Sequence, residues 1–222
     1  MGTTHPSILD RPVPEPRWPA LLAMVSVALM NFALPKSLVI GPTWLVAVLA
    51  VGLLVPALIS HRTGRYDAAK WLSYAGLGVV TASMVVSLVL LVAGLMSHKE
   101  TPSQLLLSAT LLWVSNILVF ASWYWRLDAG GPHMREKRRT HTAGAFLFPQ
   151  MTLDPGLRKE MCEHNWRPGF MDYLFLAFNT STAFSPTDVP VLSRWAKGLM
   201  MLQAFVSLAT LALLAARAVN IL

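Results

Sequence analysis

Polar residues that could line a path for ions interrupt the apolar C-terminal part of the chain. Residues 170–184 contain a single charge, Asp172, and predict a short helix, which cannot continue through Pro186. Inside a membrane, non-helical backbone is tolerated only where it is buried in protein or lines water. The pattern therefore predicts a re-entrant hairpin. If the protein conducts ions, the residues lining its narrowest part are Thr180, Thr182, Ala183, Phe184, Ser185, Pro186, Thr187 and Asp188.

Each of these residues also has a structural interpretation. Thr180 and Thr182 could donate hydrogen bonds to carbonyls of their own helix, as membrane threonines often do. Asp188 could form a ring of carboxylates at a pore mouth, cap the last helix or pair with Arg194. Phe184 could close the path as an apolar plug, since hydrophobic constrictions gate by dewetting.

The composition defines the class of protein that carries this hairpin. Of the 222 residues, 55% are hydrophobic and only 13% are charged, whereas soluble domains carry about 25% charged residues. At least five apolar stretches approach the roughly 20 residues that a helix needs to cross a bilayer. We therefore predict an all-α, polytopic transmembrane helical protein.

The apolar runs divide the chain into four segments. Residues 1–17 form a proline-rich polar leader, and residues 18–126 hold four transmembrane helices, at 18–34, 43–60, 71–96 and 104–125. Residues 127–168 form a basic connecting loop. Residues 169–222 form the hairpin and a final helix that we expect over 191–222.

Three residues in the apolar helices are candidates for helix packing. Asn116 is expected to form an interhelical hydrogen bond, because a polar side chain facing lipid is unfavourable. Ala212 and Ala216 are four residues apart on the last helix, where small side chains allow close contact.

Other kinds of chemistry find little support in the sequence. Cys162 with His133, His141 and His164 matches no zinc-site spacing, so we expect neither a metal nor another cofactor. No hydrolase, metalloprotease or phosphate-binding loop motif is present, and we do not expect an enzyme. The net charge of +7 is typical of contact with anionic lipid headgroups at the basic loop, and we expect no nucleic-acid binding.

The C-terminal part resembles the pore module of two-helix potassium channels. Phe178, Thr180, Thr182 and Asp188 match the channel pattern F-x-T-x-T-T-V-G-Y-G-D, and Pro190 follows as in those channels. Residues 183–187 replace the T-V-G-Y-G filter, and both of its glycines are absent. The resemblance implies a homo-oligomer, a tetramer if the protein is channel-like, without potassium selectivity.

The chain is also similar to a family of bacterial inner-membrane proteins that has no established activity. The shared blocks are Trp123–Pro132, Phe146–Gln150, Thr182–Asp188 and Ala216–Leu222. This similarity implies a multi-pass protein of the bacterial inner (cytoplasmic) membrane.

Two arguments about orientation conflict. With a cytoplasmic N-terminus, thirteen Lys and Arg residues fall on the cytoplasmic side and only Lys36 and Lys99 on the other, which places the 127–168 loop in the cytoplasm. A potassium-type hairpin instead enters from outside. The conflict disappears if residues 170–186 cross the membrane, or if the hairpin is inverted.

We therefore expect a channel-like oligomer that is non-conducting or conducts without potassium selectivity. The alternative is a non-conducting scaffold or accessory subunit. A small-solute transporter is a third possibility, and it requires a polar cavity among the first four helices.

Overall fold

A computed structural model describes residues 15–94, 101–138, 144–161, 166–183 and 189–219. These residues are mostly helical, as predicted. The helices are α1 (Trp18–Phe32), α2 (Leu45–Arg62), α3 (Tyr66–Gly94), α4 (Pro102–Leu127), α5 (Pro132–Arg138), α6 (Pro149–Thr152), α7 (Pro155–Glu160), α8 (Phe170–Ala183) and α9 (Arg194–Val219). Short 3₁₀ turns occur at Lys36–Leu38 and Asp128–Gly130.

Helices α2, α3, α4 and α9 are long and apolar enough to cross a membrane. Helix α1 has 15 residues and a length of about 22 Å, less than the roughly 30 Å of a bilayer core. It corresponds to the expected first span, 18–34, but ends at Phe32. The all-α, multi-pass membrane architecture is confirmed.

Helix α4 lies at the centre of the bundle. Its most apolar stretch is 61% buried, against 17% for α2 and 28% for α9, and it packs against α1, α3, α8 and α9. Helices α2 and α9 expose apolar side chains such as Val55, Met201 and Phe205. In a membrane protein these exposed faces are suited to lipid.

The end of α4 is shaped by a turn that requires glycine. Gly131 has φ +89°, and a Cβ there would lie 2.7 Å from the carbonyl oxygen of Arg126, so a side chain is excluded. The turn brings α5 back towards α4. As a result, Nη1 of Arg135 donates to the carbonyls of Trp125 and Asp128, both at 2.9 Å.

The connecting loop is tied to the start of α9 by an isolated antiparallel β-bridge between Phe146 and Val191. The backbone N–H of Leu147 donates to Pro190 O at 3.0 Å, and that of Leu192 donates to Ala145 O at 2.8 Å. Because this pairing needs extended backbone, the last helix begins at Arg194 and not at Val191 as expected.

Several contacts bring distant parts of the chain to one end of the bundle. Arg17 forms a salt bridge with Glu136 at 3.1 Å, and the ring of Tyr66 stacks on His133 with centroids 4.0 Å apart. The start of α1, the α2–α3 turn and the α4–α5 turn therefore lie together. We call this the basic end.

Candidate functional site

Helix α8 begins at the basic end. The Tyr173 hydroxyl donates to Oδ2 of Asp128 at 2.7 Å, and Oδ1 of Asp128 accepts from the Ala145 backbone N–H at 2.5 Å. Asp172 Oδ2 accepts from the Gly169 N–H at 2.7 Å and so caps the start of the helix. The fully buried Asp128 side chain thus links α8, the connecting loop and the end of α4.

A buried ion pair reinforces this end of the hairpin. Arg135 and Glu15 are joined at 3.0 Å, and the Trp125 indole also donates to Glu15. Burial raises the pKa of the Glu15 carboxyl above its ordinary value, although the Arg135 guanidinium opposes this shift. The Arg135 guanidinium also lies 5.3 Å from the ring centroid of Tyr173, so the ion pair helps to hold the first turn of α8.

Helix α8 stops near the middle of the bundle. Its Ser181 side chain lies 3.4 Å from Nδ2 of Asn116, which is eleven residues, or about 17 Å, before the end of α4. The next described residues, Val189–Val191, lie back at the basic end beside Phe146. The chain therefore enters and leaves from the same end, and α8 and α9 run in the same direction.

Five fully buried side chains hold α4, α8 and α9 together. We call them the polar cluster: Asn116, Tyr124, Ser181, Gln203 and Ser207. Gln203 is its centre, since Oε1 accepts from the Tyr124 hydroxyl at 2.5 Å and Nε2 donates to Ala177 O at 2.6 Å and to Ser181 Oγ at 2.8 Å. One amide therefore ties the final helix to both α4 and α8.

The polar cluster also satisfies the C-terminal end of α8. The last carbonyls of a helix have no partner within it, and Ser207 Oγ donates to Ser181 O at 2.6 Å. Ser207 in turn accepts from the Trp113 indole at 3.1 Å. Asn116 Nδ2 donates to Gln203 O at 3.2 Å, whereas its Oδ1 has no hydrogen-bond partner in the part of the chain that the structure describes. A helix can thus end inside the bundle because α4 and α9 supply hydrogen bonds.

The two predicted threonines of the hairpin point in different directions. Thr180 is buried and donates to Leu176 O at 2.8 Å, while Thr182 is exposed and donates to Phe178 O at 3.0 Å. Both hydroxyls are bonded to their own helix, which was one of the two interpretations of the sequence.

The other predicted hairpin residues are placed only in part. Ala183 is the last residue of α8, and Phe184, Ser185, Pro186, Thr187 and Asp188 lie outside the described residues. The residue before the first turn of α9 is Ser193, whose Oγ accepts from the Ala196 N–H at 3.4 Å.

The predicted packing residues have distinct environments. Asn116 is fully buried and bridges three helices, as described above, whereas Ala212 and Ala216 are exposed on α9. Asn31 donates to Ser83 Oγ at 2.8 Å and links α1 to α3.

Sequence reasoning missed most of the polar cluster. Gln203 interrupts an apolar run and could have been singled out by the argument that identified Asn116. Ser181 and Ser207 carried no comparable signal, because serines are common in membrane helices. The role of Glu15 was also missed, since the sequence analysis assigned no contacts to the proline-rich polar leader.

The described residues offer no evident place for a metal ion. Within those ranges, no three His, Cys, Asp or Glu side chains are close enough together to share one. Cys162 and His164 lie outside them.

Comparisons of the chain with protein-family models, with curated protein sequences and with solved structures found no match.

Proposed function

We propose that this protein is a channel-like membrane protein that acts as a homo-oligomer, with the re-entrant hairpin at its functional centre. The observation that carries the proposal is the course of α8. This helix is 14 residues long, about 21 Å, and ends inside the bundle, while the residues that follow the hairpin lie at the end where it began. A short helix that ends within the membrane is followed by non-helical backbone, which is tolerated there where it is buried in protein or lines water. Such a helix is therefore suited to lining a water-filled path.

The basic end faces the cytoplasm in this proposal. The segments counted as cytoplasmic from the sequence carry thirteen Lys and Arg residues, and Arg194 and Lys197 at the start of α9 add to them. Such a bias favours the cytoplasmic side of a bacterial inner membrane. The hairpin then enters from the cytoplasm, inverted relative to the potassium channels that it resembles, and the conflict between charge and hairpin is removed.

A conduction path would lie between copies of the chain. The polar cluster is packed within one chain, whereas one face of α8 is exposed along its whole length, at Met171, Phe175, Phe178 and Thr182. If four copies surround an axis, as the potassium-channel resemblance implies, Thr182 and the segment 183–188 are the residues that approach it. The absent filter glycines argue against potassium selectivity.

A second candidate is a non-conducting scaffold or accessory subunit. It is favoured by the hydrogen bonding of residues 180–182, whose three hydroxyl groups all lie within hydrogen-bond distance of groups in the same chain. A hairpin whose polar groups are used internally can serve assembly without lining water.

Ion flux from liposomes that hold the purified protein separates the two candidates. We expect flux that changes in Asp188→Asn and Phe184→Ala. The matched controls are Asp154→Asn in the connecting loop and Phe205→Ala on the exposed face of α9, which should leave flux unchanged. No flux from a verified folded oligomer, under varied voltage and pH, would favour the scaffold.

The inverted hairpin has its own test. In a Cys162→Ser background, single cysteines replace Leu192, exposed at the start of α9, and Lys36, exposed at the opposite end. A membrane-impermeant maleimide should label Leu192→Cys only in inverted vesicles and Lys36→Cys only in right-side-out vesicles. Labelling of both from the same side would mean that α8 crosses the membrane, and would contradict the proposal.

A further inference from the structure

A cavity of about 200 Å³ lies at the basic end, among α1, α2, α3 and the α4–α5 turn. A single water needs only about 10–15 Å³ on this measure, so the space is large enough for a substantial ligand group. One wall is apolar and includes Leu21, Leu54 and Leu58. Because Leu58 is 39% exposed on α2, this wall continues to the surface that faces lipid.

Arg126 gives the cavity its unusual chemistry. The residue lines the cavity, yet it is only 6% exposed. Its Nη2 lies 3.0 Å from Met24 Sδ, a weak acceptor, and its Nη1 has no hydrogen-bond partner among the described residues. Within the described ranges no acidic side chain forms a salt bridge with it. The guanidinium lies 5.4 Å from the ring centroid of Trp125. A buried charge without a counter-ion is costly, so an anion in the cavity would stabilise this side chain.

The other groups that face the cavity support this conclusion. His61 contributes a second polar atom without a partner, Nε2, and its ring lies 5.3 Å from that of Tyr66. The charged side chains that line the space are Arg17, Asp67, Lys70 and Arg126. Arg17 is paired with Glu136 outside this lining. Positive charge exceeds negative charge within the cavity.

We propose that the Arg126 cavity binds the phosphate group of an anionic phospholipid. Guanidinium donors match phosphate oxygens in geometry and charge, so the Arg126 side chain, which lines the cavity, is the primary contact. The acyl chains would leave along Leu54 and Leu58. Free inorganic phosphate has the same binding chemistry, but the apolar wall and the position beside the aromatic residues Tyr74 and Trp125 favour a lipid. The site is independent of whether the hairpin conducts.

The test is thermal unfolding of the purified, delipidated full chain in detergent. The added ligands are phosphatidylglycerol, phosphatidylcholine or inorganic phosphate. We expect phosphatidylglycerol alone to raise the Tm of the wild type, since a ligand that binds only the folded state stabilises it. In Arg126→Met the affinity for phosphatidylglycerol should fall roughly tenfold or more. The charge-matched control Lys197→Met, exposed on α9, should keep the wild-type response.

A second variant tests the cavity without removing its charge. Leu58→Trp places a larger side chain on the apolar wall, and it should also weaken phosphatidylglycerol binding. If Arg126→Met fails to fold, the response of Leu58→Trp alone tests whether phosphatidylglycerol binds in the cavity. Native mass spectrometry should record one tightly bound phosphatidylglycerol per wild-type chain.

Three results would overturn the assignment. One is an equal effect of phosphatidylglycerol and phosphatidylcholine, and another is an unchanged response in both Arg126→Met and Leu58→Trp. Stabilisation by inorganic phosphate equal to that by phosphatidylglycerol would retain phosphate recognition by Arg126 but overturn the lipid as its source.

Discussion

The polar cluster and the Arg126 cavity bury polar side chains on the same helix, α4, but satisfy them differently. In the polar cluster both amide atoms of Gln203 have hydrogen-bond partners, and among the described residues Oδ1 of Asn116 is the one buried side-chain atom of the cluster left without a partner. Around Arg126, Nη1 of the arginine and Nε2 of His61 have none. Within the described ranges, the polar groups of the first region are thus almost all satisfied by the protein itself, whereas those of the second are not.

The difference follows from what the neighbouring helices supply. Helices α8 and α9 present Ser181, Ser207 and Gln203 to α4, so hydroxyls and amides bond to one another. Helices α1 and α2 present mainly apolar side chains such as Leu21 and Leu54 to the cavity. In a low-dielectric environment a satisfied network rigidifies the fold, whereas an unpaired group is costly.

Replacing the centre of the polar cluster should have the largest effect on stability. Gln203→Leu removes three hydrogen bonds. The Tyr124 hydroxyl and the Ser181 hydroxyl each lose a hydrogen-bond partner, so the free energy of unfolding should fall by about 2–3 kcal/mol. Thermal unfolding in detergent measures it. The exposed neighbour Met201→Leu should change stability by less than about 0.5 kcal/mol, and an equal loss in both variants would contradict the role of the cluster.

Asn116→Leu should cost less, about 1–2 kcal/mol. Two donor contacts are lost, but the unpartnered Oδ1 atom is removed as well, which offsets part of the loss. The same unfolding measurement gives the order of the two variants. A larger loss than in Gln203→Leu would mean that Asn116 is the true centre of the cluster.

Tyr124→Phe should lower the free energy of unfolding by about 0.5–1.5 kcal/mol, since only the hydroxyl bond to Gln203 is removed. In the double variant with Gln203→Leu the two effects should not add, because the residues share that bond. Additive effects would show that the contact contributes nothing.

The smallest effect is expected in the Arg126 cavity. In lipid-free detergent, Arg126→Met should leave the free energy of unfolding within about 0.5 kcal/mol or raise it, because replacing an unpaired buried charge by an apolar side chain removes a desolvation cost. A fall in the free energy of unfolding of about 2 kcal/mol or more, as large as that expected for Gln203→Leu, would contradict the difference drawn between the two regions. It would mean that Arg126 is satisfied by the protein itself.

Parts of the candidate site were predictable from the residues alone. The short helix before Pro186 and the importance of Asn116 follow from a charge-poor run and from the cost of an amide in an apolar helix. The partners of Asn116 were not predictable, because residues 181 and 203 approach it through helix packing that leaves no periodic signal. The start of α9 was misplaced by three residues, since the bridge with Phe146 depends on a contact 45 positions away in the chain.

The sequence alone determined that this protein is an all-α, multi-pass membrane protein, because long apolar runs have few other stable states and bilayer thickness sets their length. Only the tertiary structure decided that the chain enters α8 and starts α9 at the same end, and that Gln203 joins three helices. It alone decided that Arg126 is buried with no counter-ion among the described residues. Composition and periodicity indicate whether each segment is suited to contact with lipid or with water. The pairing of polar atoms between segments depends on which helices are neighbours, and that is fixed by packing.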